Sequence, residues 1–193
     1  MSGHRAVFLD RDGVINENVY YERWGEFEGP LRPEDVVILP GVFDAMRRFS
    51  DAGFLLFIVS NQGAFAKGKV SLKSLAETAR HVDSLIAGAG LKVAEAYYSF
   101  SHPKGVAPFF SGESLERKPN PYFLKLAEAF YDLDLASSWM IGDRATDVMC
   151  GRAAGCRTAR IVNDSNEISP SDPAPDIIAD SLREAADGIL VKG

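Results

Sequence analysis

Short apolar runs alternate with amphipathic stretches along this chain. AVFLD (6–10), FLLFIVS (54–60), VAEAYYSF (93–100), SWMIGD (138–143) and RTARIV (157–162) each predict a strand. FLLFIVS is apolar at consecutive positions, as expected of a central parallel strand covered on both faces. PGVFDAMRRFSDAG (40–53) instead places Val42, Phe43, Met46 and Phe49 at helical spacing and stops at Gly53. SLKSLAETARHVDSLIAGAG (71–90) predicts a helix capped by Ser71 or Ser74. NPYFLKLAEAFYDL (120–133) predicts another with proline in its first turn, and ATDVMCGRAAG (145–155) one ending at Gly155. VVIL (36–39) reads as a further short extended piece, and PDIIADSLREAADGIL (175–190) as a short strand and a helix.

This alternation predicts an α/β fold, a Rossmann-like parallel sheet with helices on both faces. No repeat and no long linker interrupts it, so one domain over residues 1–193 is expected. Two stretches break the pattern: an aromatic and acidic one at about 16–40 (ENVYYERWGEFEGPLRPED), and an irregular loop at about 100–118. The proline-rich SPSDPAPD (169–176) reads as a surface loop. A 46% apolar and 25% charged composition argues against disorder, and a net charge of -6 argues against a nucleic-acid surface. Neither a signal core at MSGHRAVFLD nor a run approaching the ~18–20 apolar residues of a membrane span is present, so a cytoplasmic protein without membrane partners is expected. Cys150 and Cys156 read as small buried residues rather than a disulfide or metal pair.

The chemistry is expected where the strands end, because ligands of open parallel sheets bind at the carboxyl ends. Asp10 and Asp12 follow VFL, Ser60 and Asn61 follow LLFIV, and Asp143 follows WMIG; Asp147 lies in the first turn of the next helix. Each has a bland reading as a cap, turn or strand terminus. Together the acids need a cation, since two carboxylates ~4 Å apart repel by roughly 4 kcal/mol at an effective dielectric of ~20. Mg²⁺ suits them, taking carboxylate oxygens while keeping waters and phosphate. LERKPNP adds Arg117 and Lys118; the lysine reads either as an anion ligand near a helix N-terminus or as a solvated surface charge.

The order Asp-x-Asp-Gly, Ser-Asn, Lys-Pro, Gly-Asp-x3-Asp resembles the haloacid dehalogenase-like (HAD) hydrolases, which are mostly Mg²⁺-dependent phosphatases. The likeness runs from about Phe8 to Val162. FLDRDGVIN, SNQGAFAKGK and RKPNP together resemble the heptose bisphosphate phosphatase and histidinol-phosphatase group, whose members lack a large cap domain. The resemblance implies Asp10 as the nucleophile that becomes an aspartyl phosphate, and Asp12 as general acid and then base. Ser60 would hydrogen-bond the phosphoryl group and Lys118 neutralise it. Asp10, Asp143 and the backbone carbonyl of Asp12 would hold Mg²⁺, with Asp147 supporting the metal shell. Asn61 is a further candidate for substrate binding.

Two departures from that group stand out. Its members often carry a zinc loop of cysteines and a histidine before the Arg-Lys-Pro motif, where this chain has Ser99, Ser101, Ser114 and Glu116; structural zinc is therefore expected to be absent. The loop is expected to be held by Phe100, Phe109 and Phe110 or by a partner chain, with His102 a loop hydrogen-bonder. The stretch 16–40 is also longer than expected, and reads either as a specificity lid or as a flap or oligomer contact packing on its own aromatics. Its acidic residues weaken a bisphosphate assignment, while Arg117 above all, and Lys67, Lys69 and Lys104, remain candidates for a distal phosphate, Lys67 and Lys69 reading equally as solvated loop charges. The expected substrate is a small phosphate ester, most simply a sugar phosphate or bisphosphate, with histidinol phosphate as the alternative. A receiver-like phosphoacceptor module is the distant alternative, disfavoured because Asp12 would hasten loss of the phosphoryl group. A monomer is expected.

Overall fold

The structure is a computed structural model, and it describes residues 3–162 and 168–191. Among the described residues eight strands and five α-helices follow one another: β1 (Ala6–Leu9), β2 (Val19–Tyr21), β3 (Glu26–Glu28), α1 (Val42–Asp51), β4 (Leu55–Asn61), α2 (Leu72–Gly88), β5 (Glu95–Ser99), α3 (Tyr122–Tyr131), β6 (Trp139–Gly142), α4 (Ala145–Ala154), β7 (Arg157–Ile161), β8 (Ile177–Ala179) and α5 (Leu182–Val191). Six strands form one sheet in the order β5-β4-β1-β6-β7-β8, every neighbouring pair parallel. The chain builds outward from β1 through β4 to β5, then returns to the other side of β1 with β6. That reversal leaves a crevice beyond the carboxyl ends of β1, β4 and β6.

Alternation along the central strands separates two apolar layers. Val7, Leu9, Leu56, Ile58, Trp139 and Ile141 pack with α1, α2 and α5 through Met46, Phe49, Val82 and Ile189. Ala6, Phe8, Phe57, Val59 and Met140 pack with α3 and α4 through Leu124, Ala127, Cys150 and Ala154. Each large side chain buried here contributes about 1.5–3 kcal/mol, and burial on both faces explains the unbroken apolar runs. Both cysteines are free and buried, and burial pushes each thiol up to about 12. Among the described residues no helix is long and apolar enough to cross a membrane.

The segment 16–40, read as a lid or flap, has regular structure of its own, and VVIL, read as a short extended piece, makes no strand. The segment folds as an antiparallel hairpin of β2 and β3, with Tyr20 opposite Phe27 and Tyr21 opposite Glu26. VVIL joins no sheet; Ile38 makes only an isolated bridge to Asn16, and a 3-10 turn at Pro33–Asp35 precedes it. The two strands are three residues each, too short for an alternation to announce them. On one face Tyr21 and Trp24 pack at 5.7 Å and join Leu31, Ala64, Leu75 and Phe100 in a small separate cluster. The Tyr21 hydroxyl donates to Asp35 at 2.7 Å and accepts from the Leu31 amide at 2.9 Å.

The loop between β5 and α3 docks on residues 63–69. The amides of Val106 and Ala107 donate to the Ala66 carbonyl, and Phe110 meets Phe65 edge-on at 5.0 Å. Phe100 and Phe110 thus hold the loop as expected, but Phe109 does not: its side chain is 100% exposed. Its backbone lies at φ 66, where a turn aims the ring outward.

Candidate active site

The acid after β1 is planted by the sheet. The Asp10 amide donates to the Ile141 carbonyl of β6, and Asp10 Oδ1 accepts the Arg11 amide at 2.7 Å. Lys118 Nζ, itself 2% exposed, lies 3.0 Å from Asp10 Oδ1 and 2.6 Å from Asp147 Oδ1, and donates to the Val59 carbonyl at 2.7 Å. Burial works against its charged form, but Asp10 and Asp147 outweigh that and hold the ammonium above the usual lysine range. Lys118 is therefore a buried cation aimed at the strand ends, not a surface charge. Asn61 explains the aim: its amide donates to the Lys118 carbonyl and accepts from the Lys118 amide, both at 3.0 Å. That side chain lines the cavity, but its polar atoms are taken up in positioning the lysine.

Asp10, Asp143 and Asp147 each bring a carboxylate oxygen within 4.8 Å of the other two, all three buried. Burial raises the Asp10 and Asp143 carboxyls above the usual range; Lys118 partly offsets this at Asp10, while the neighbouring aspartates add to it at both. One ammonium does not balance three carboxylates, so the set fits a hard divalent cation with oxygen ligands. Asp147 is less available than the other two. Its Oδ2 accepts the Arg144 amide at 2.9 Å and so caps α4, while Oδ1 faces Lys118. Asp147, expected to support the metal shell, stands beside Asp10 and Asp143, with its own contacts made to the helix and the lysine.

Asp12 stands in a different environment. Arg11 Nε donates to its Oδ1 at 2.8 Å, Asn16 Nδ2 to the same oxygen at 3.0 Å, and Gln62 Nε2 to Oδ2 at 2.6 Å. Against burial, the Arg11 charge and these donors hold its carboxyl below the usual range. Gln62 also donates to Ser60 Oγ at 3.0 Å, and Arg11 Nη2 donates to Gln62 Oε1 at 3.0 Å. Arg11 and Gln62 therefore tie Asp12 to Ser60, although the motif spacing marks neither. Their signal in the sequence was position alone, Arg11 between the two aspartates and Gln62 one residue beyond Ser60-Asn61.

A cavity of about 250 Å³ opens above these groups, lined by Asp10, Asp12, Ser60 and Lys118 below and by Arg117, Lys67, His102, Arg144 and Glu28 around the mouth. Arg117 donates to the Ser101 carbonyl at 3.0 Å. Lys67 is paired with Glu28 of β3, and Lys69 with Glu26 and Glu28. Burial and then the charges of Arg117, Lys67 and Lys104 push His102 down to about 4, so it is neutral at pH 7. Its Nδ1 accepts the Lys104 amide at 3.0 Å, which places the ring proton on Nε2. Arg144 is a site residue that sequence reasoning missed, and Glu28 was expected only as one acid of a lid. Arg144 sits inside the Gly-Asp-x3-Asp motif, while Glu28 reaches the site only through the hairpin.

Glycines let the chain pass this closely. A Cβ at Gly29 would lie 2.1 Å from Asp12 Oδ2, and one at Gly13, whose φ is 80, would lie 2.2 Å from Asp143 Oδ2. Gly29→Ala is accordingly expected to lift β3 off Asp12 and lower kcat/KM for phosphate release by at least about tenfold with little change in melting temperature, since the hairpin lies outside the main core. A melting scan and a steady-state assay on the same preparation check this.

Comparison with known proteins bears on what this geometry serves. A family model described as HAD-hydrolase-like matches residues 115–185. The D-glycero-D-manno-heptose-1,7-bisphosphate 7-phosphatase of Thermosynechococcus vestitus is 39% identical over 155 residues, covering 78% of this chain and 75% of that protein. The D-glycero-beta-D-manno-heptose-1,7-bisphosphate 7-phosphatase of Escherichia coli is 32% identical over 186 residues, covering 95% and 93%. The chain belongs to the haloacid dehalogenase-like hydrolases. It is a phosphatase of that family, and the buried aspartates and lysine stand at the strand ends of a HAD-like fold. A solved HAD-like protein from Mesorhizobium loti superposes with a TM-score of 0.81 at 28% identity, covering 100% of this chain and 89% of that one. The D,D-heptose 1,7-bisphosphate phosphatase of B. bronchiseptica, solved with magnesium and phosphate, shares the fold with a TM-score of 0.78 at 22% identity, covering 98% and 99%.

Proposed function

We propose that this HAD-like hydrolase is a Mg²⁺-dependent phosphatase of a small sugar phosphate, with D-glycero-D-manno-heptose 1,7-bisphosphate, the ester named for its relatives, as the first candidate. The observation that carries the reading is Lys118, buried and charged between Asp10 and Asp147 at the floor of a cavity rimmed by arginines.

Asp10 attacks phosphorus, the bond to the ester oxygen breaks, and the proton on Asp12 goes to the departing alkoxide. Water then attacks phosphorus and gives its proton to Asp12, the Asp10 oxygen–phosphorus bond breaks, and phosphate leaves. Splitting the hydrolysis in this way replaces one hard step with two easier ones. The donors that hold Asp12 ionised suit the second half, when it acts as base, and Gln62 keeps it in register with Ser60. Ser60 donates to a phosphoryl oxygen, and Lys118 neutralises charge that builds there. Asp10 and Asp143, with the carbonyl of Asp12, are the residues to hold Mg²⁺, which when bound supplies further charge neutralisation at the phosphoryl oxygens. Arg117 and Arg144 face a distal phosphate or the sugar. The reading takes residues 1–193 as one domain without a large cap, a monomer in the cytoplasm, with a loop at 100–118 that needs no zinc.

The test is phosphate release from a panel of sugar phosphates, sugar bisphosphates and histidinol phosphate, with Mg²⁺ and with EDTA. Release from a sugar ester that stops in EDTA and returns with Mg²⁺ is expected; preference for histidinol phosphate would overturn the substrate, and release undiminished in EDTA the metal. A zinc-selective chelator is expected to leave the melting temperature unchanged. Light scattering that returned the mass of two chains would overturn the monomer.

A further inference from the structure

The hairpin brings one carboxylate, Glu28, to the cavity. Its register sets Glu28 opposite Val19 and Glu26 opposite Tyr21, on the face away from the Tyr20–Phe27 pair. Glu28 and Lys67 both line the cavity that holds Asp10, Ser60 and Lys118. Glu28 Oε1 is paired with Lys67 and lies 2.6 Å from Lys69 Nζ, and Lys69 is paired with Glu26 as well. None of the three paired groups is freely solvated: the side chains of Glu28, Lys67 and Lys69 are 14%, 21% and 6% exposed. Gly29, next in the chain, rests against the Asp12 carboxylate and fixes where Glu28 stands. Two lysines that would otherwise form an anion site are thus already matched by two carboxylates of the same chain.

We propose that Glu28 is a specificity-determining residue: an internal anion that pairs with Lys67 and Lys69, leaving a distal phosphate to Arg117 and Arg144 and so narrowing the enzyme's preference for a bisphosphate over the matching monophosphate. This rests on the phosphatase reading above only for its kinetic readout. A distal phosphate brought to Lys67 meets the Glu28 carboxylate, and like charges set together disfavour the wrong partner. It must displace Glu28 or rely on Arg117 and Arg144 alone. A neutral polyol end meets no such penalty and can donate its hydroxyls to Glu28.

The experiment compares wild type, Glu28→Gln, Lys67→Met and the double variant. Calorimetry measures binding of inorganic pyrophosphate and inorganic phosphate, and kcat/KM is measured for a hexose bisphosphate and the matching monophosphate. Glu28→Gln is expected to raise both two-phosphate to one-phosphate ratios by about tenfold, and the double variant to take that gain back. Lys67→Met alone is expected to change the binding ratio by less than about twofold, because its charge is already matched. An unchanged ratio in Glu28→Gln, a gain that survives loss of Lys67, or a large loss in Lys67→Met alone would each overturn the proposal. Wild type that hydrolyses no ester in the panel would overturn the phosphatase reading instead, and the binding ratios would still decide the role of Glu28.

Discussion

Replacing Asp10 by asparagine is expected to lower phosphate release by at least about 10⁴-fold and, in metal-free buffer, to raise the melting temperature. The first effect follows because an amide oxygen is a poor nucleophile and cannot form the acyl phosphate on which both half-reactions depend. The second follows from crowding. Asp10, Asp143 and Asp147 lie within 4.8 Å of one another around one ammonium, and unit charges at that range repel by a few kcal/mol at an effective dielectric of ~20. Removing one charge relieves that repulsion, and Lys118 keeps Asp147 as partner at 2.6 Å. About 1–2 kcal/mol of stabilisation is expected in EDTA, a rise of roughly 2–8 °C for a chain of this size. Scanning calorimetry with EDTA and with Mg²⁺ checks it: the gap between variant and wild type should shrink when Mg²⁺ is present. A variant less stable than wild type in EDTA would show that the pair to Lys118 outweighs the repulsion.

Lys118→Met is expected to fail in both respects. Methionine matches the length of the stem but leaves Asp10 and Asp147 buried without their cation, and breaking one side of a buried pair costs about 3–5 kcal/mol. The transferring phosphoryl group also loses its fixed positive charge, so kcat is expected to fall by about 10³-fold. Urea unfolding in EDTA and in Mg²⁺ separates the two consequences. Mg²⁺ should recover part of the stability, since it meets the same carboxylates, without recovering kcat. A variant that kept wild-type kcat would remove Lys118 from the mechanism.

The two variants differ in sign on stability because the sheet, rather than local preference, gathers these groups. That gathering was legible in the sequence. VFL, LLFIV and WMIG are apolar without alternation because β1, β4 and β6 are covered on both faces, and such strands end together at one edge. Helix ends were legible too: Ser71 accepts the Ser74 amide at 3.1 Å, and Gly155 closes α4 at φ 93.

What escaped the sequence depended on contacts between distant segments. The hairpin has strands too short to show a period. Its aromatic and acidic residues divide between two faces only once Tyr20 is set opposite Phe27. Glu26 and Glu28 looked like an acidic lid because nothing in the sequence assigns Lys67 and Lys69 to them. The part Asn61 plays in positioning Lys118 escaped for a related reason, since its two bonds go to the backbone of a residue 57 positions away. Phe109 was assigned to the loop's packing by its chemistry alone, and its backbone turn aims it the other way.

The double employment of Asp147 constrains how this part of the chain can drift. One oxygen starts α4 and the other faces Lys118, while the side chain leans so closely over Gly142 that a Cβ there would lie 2.1 Å from its Cγ. Glutamate would keep the charge but move it by a methylene, and asparagine would keep the cap but drop the charge. Lys118 and the later pair Gly142 and Asp147 therefore form a single heritable unit. A lineage that abandoned the chemistry could relax Asp12 or Ser60 early, yet would be held to this trio for as long as it needed a folded α4.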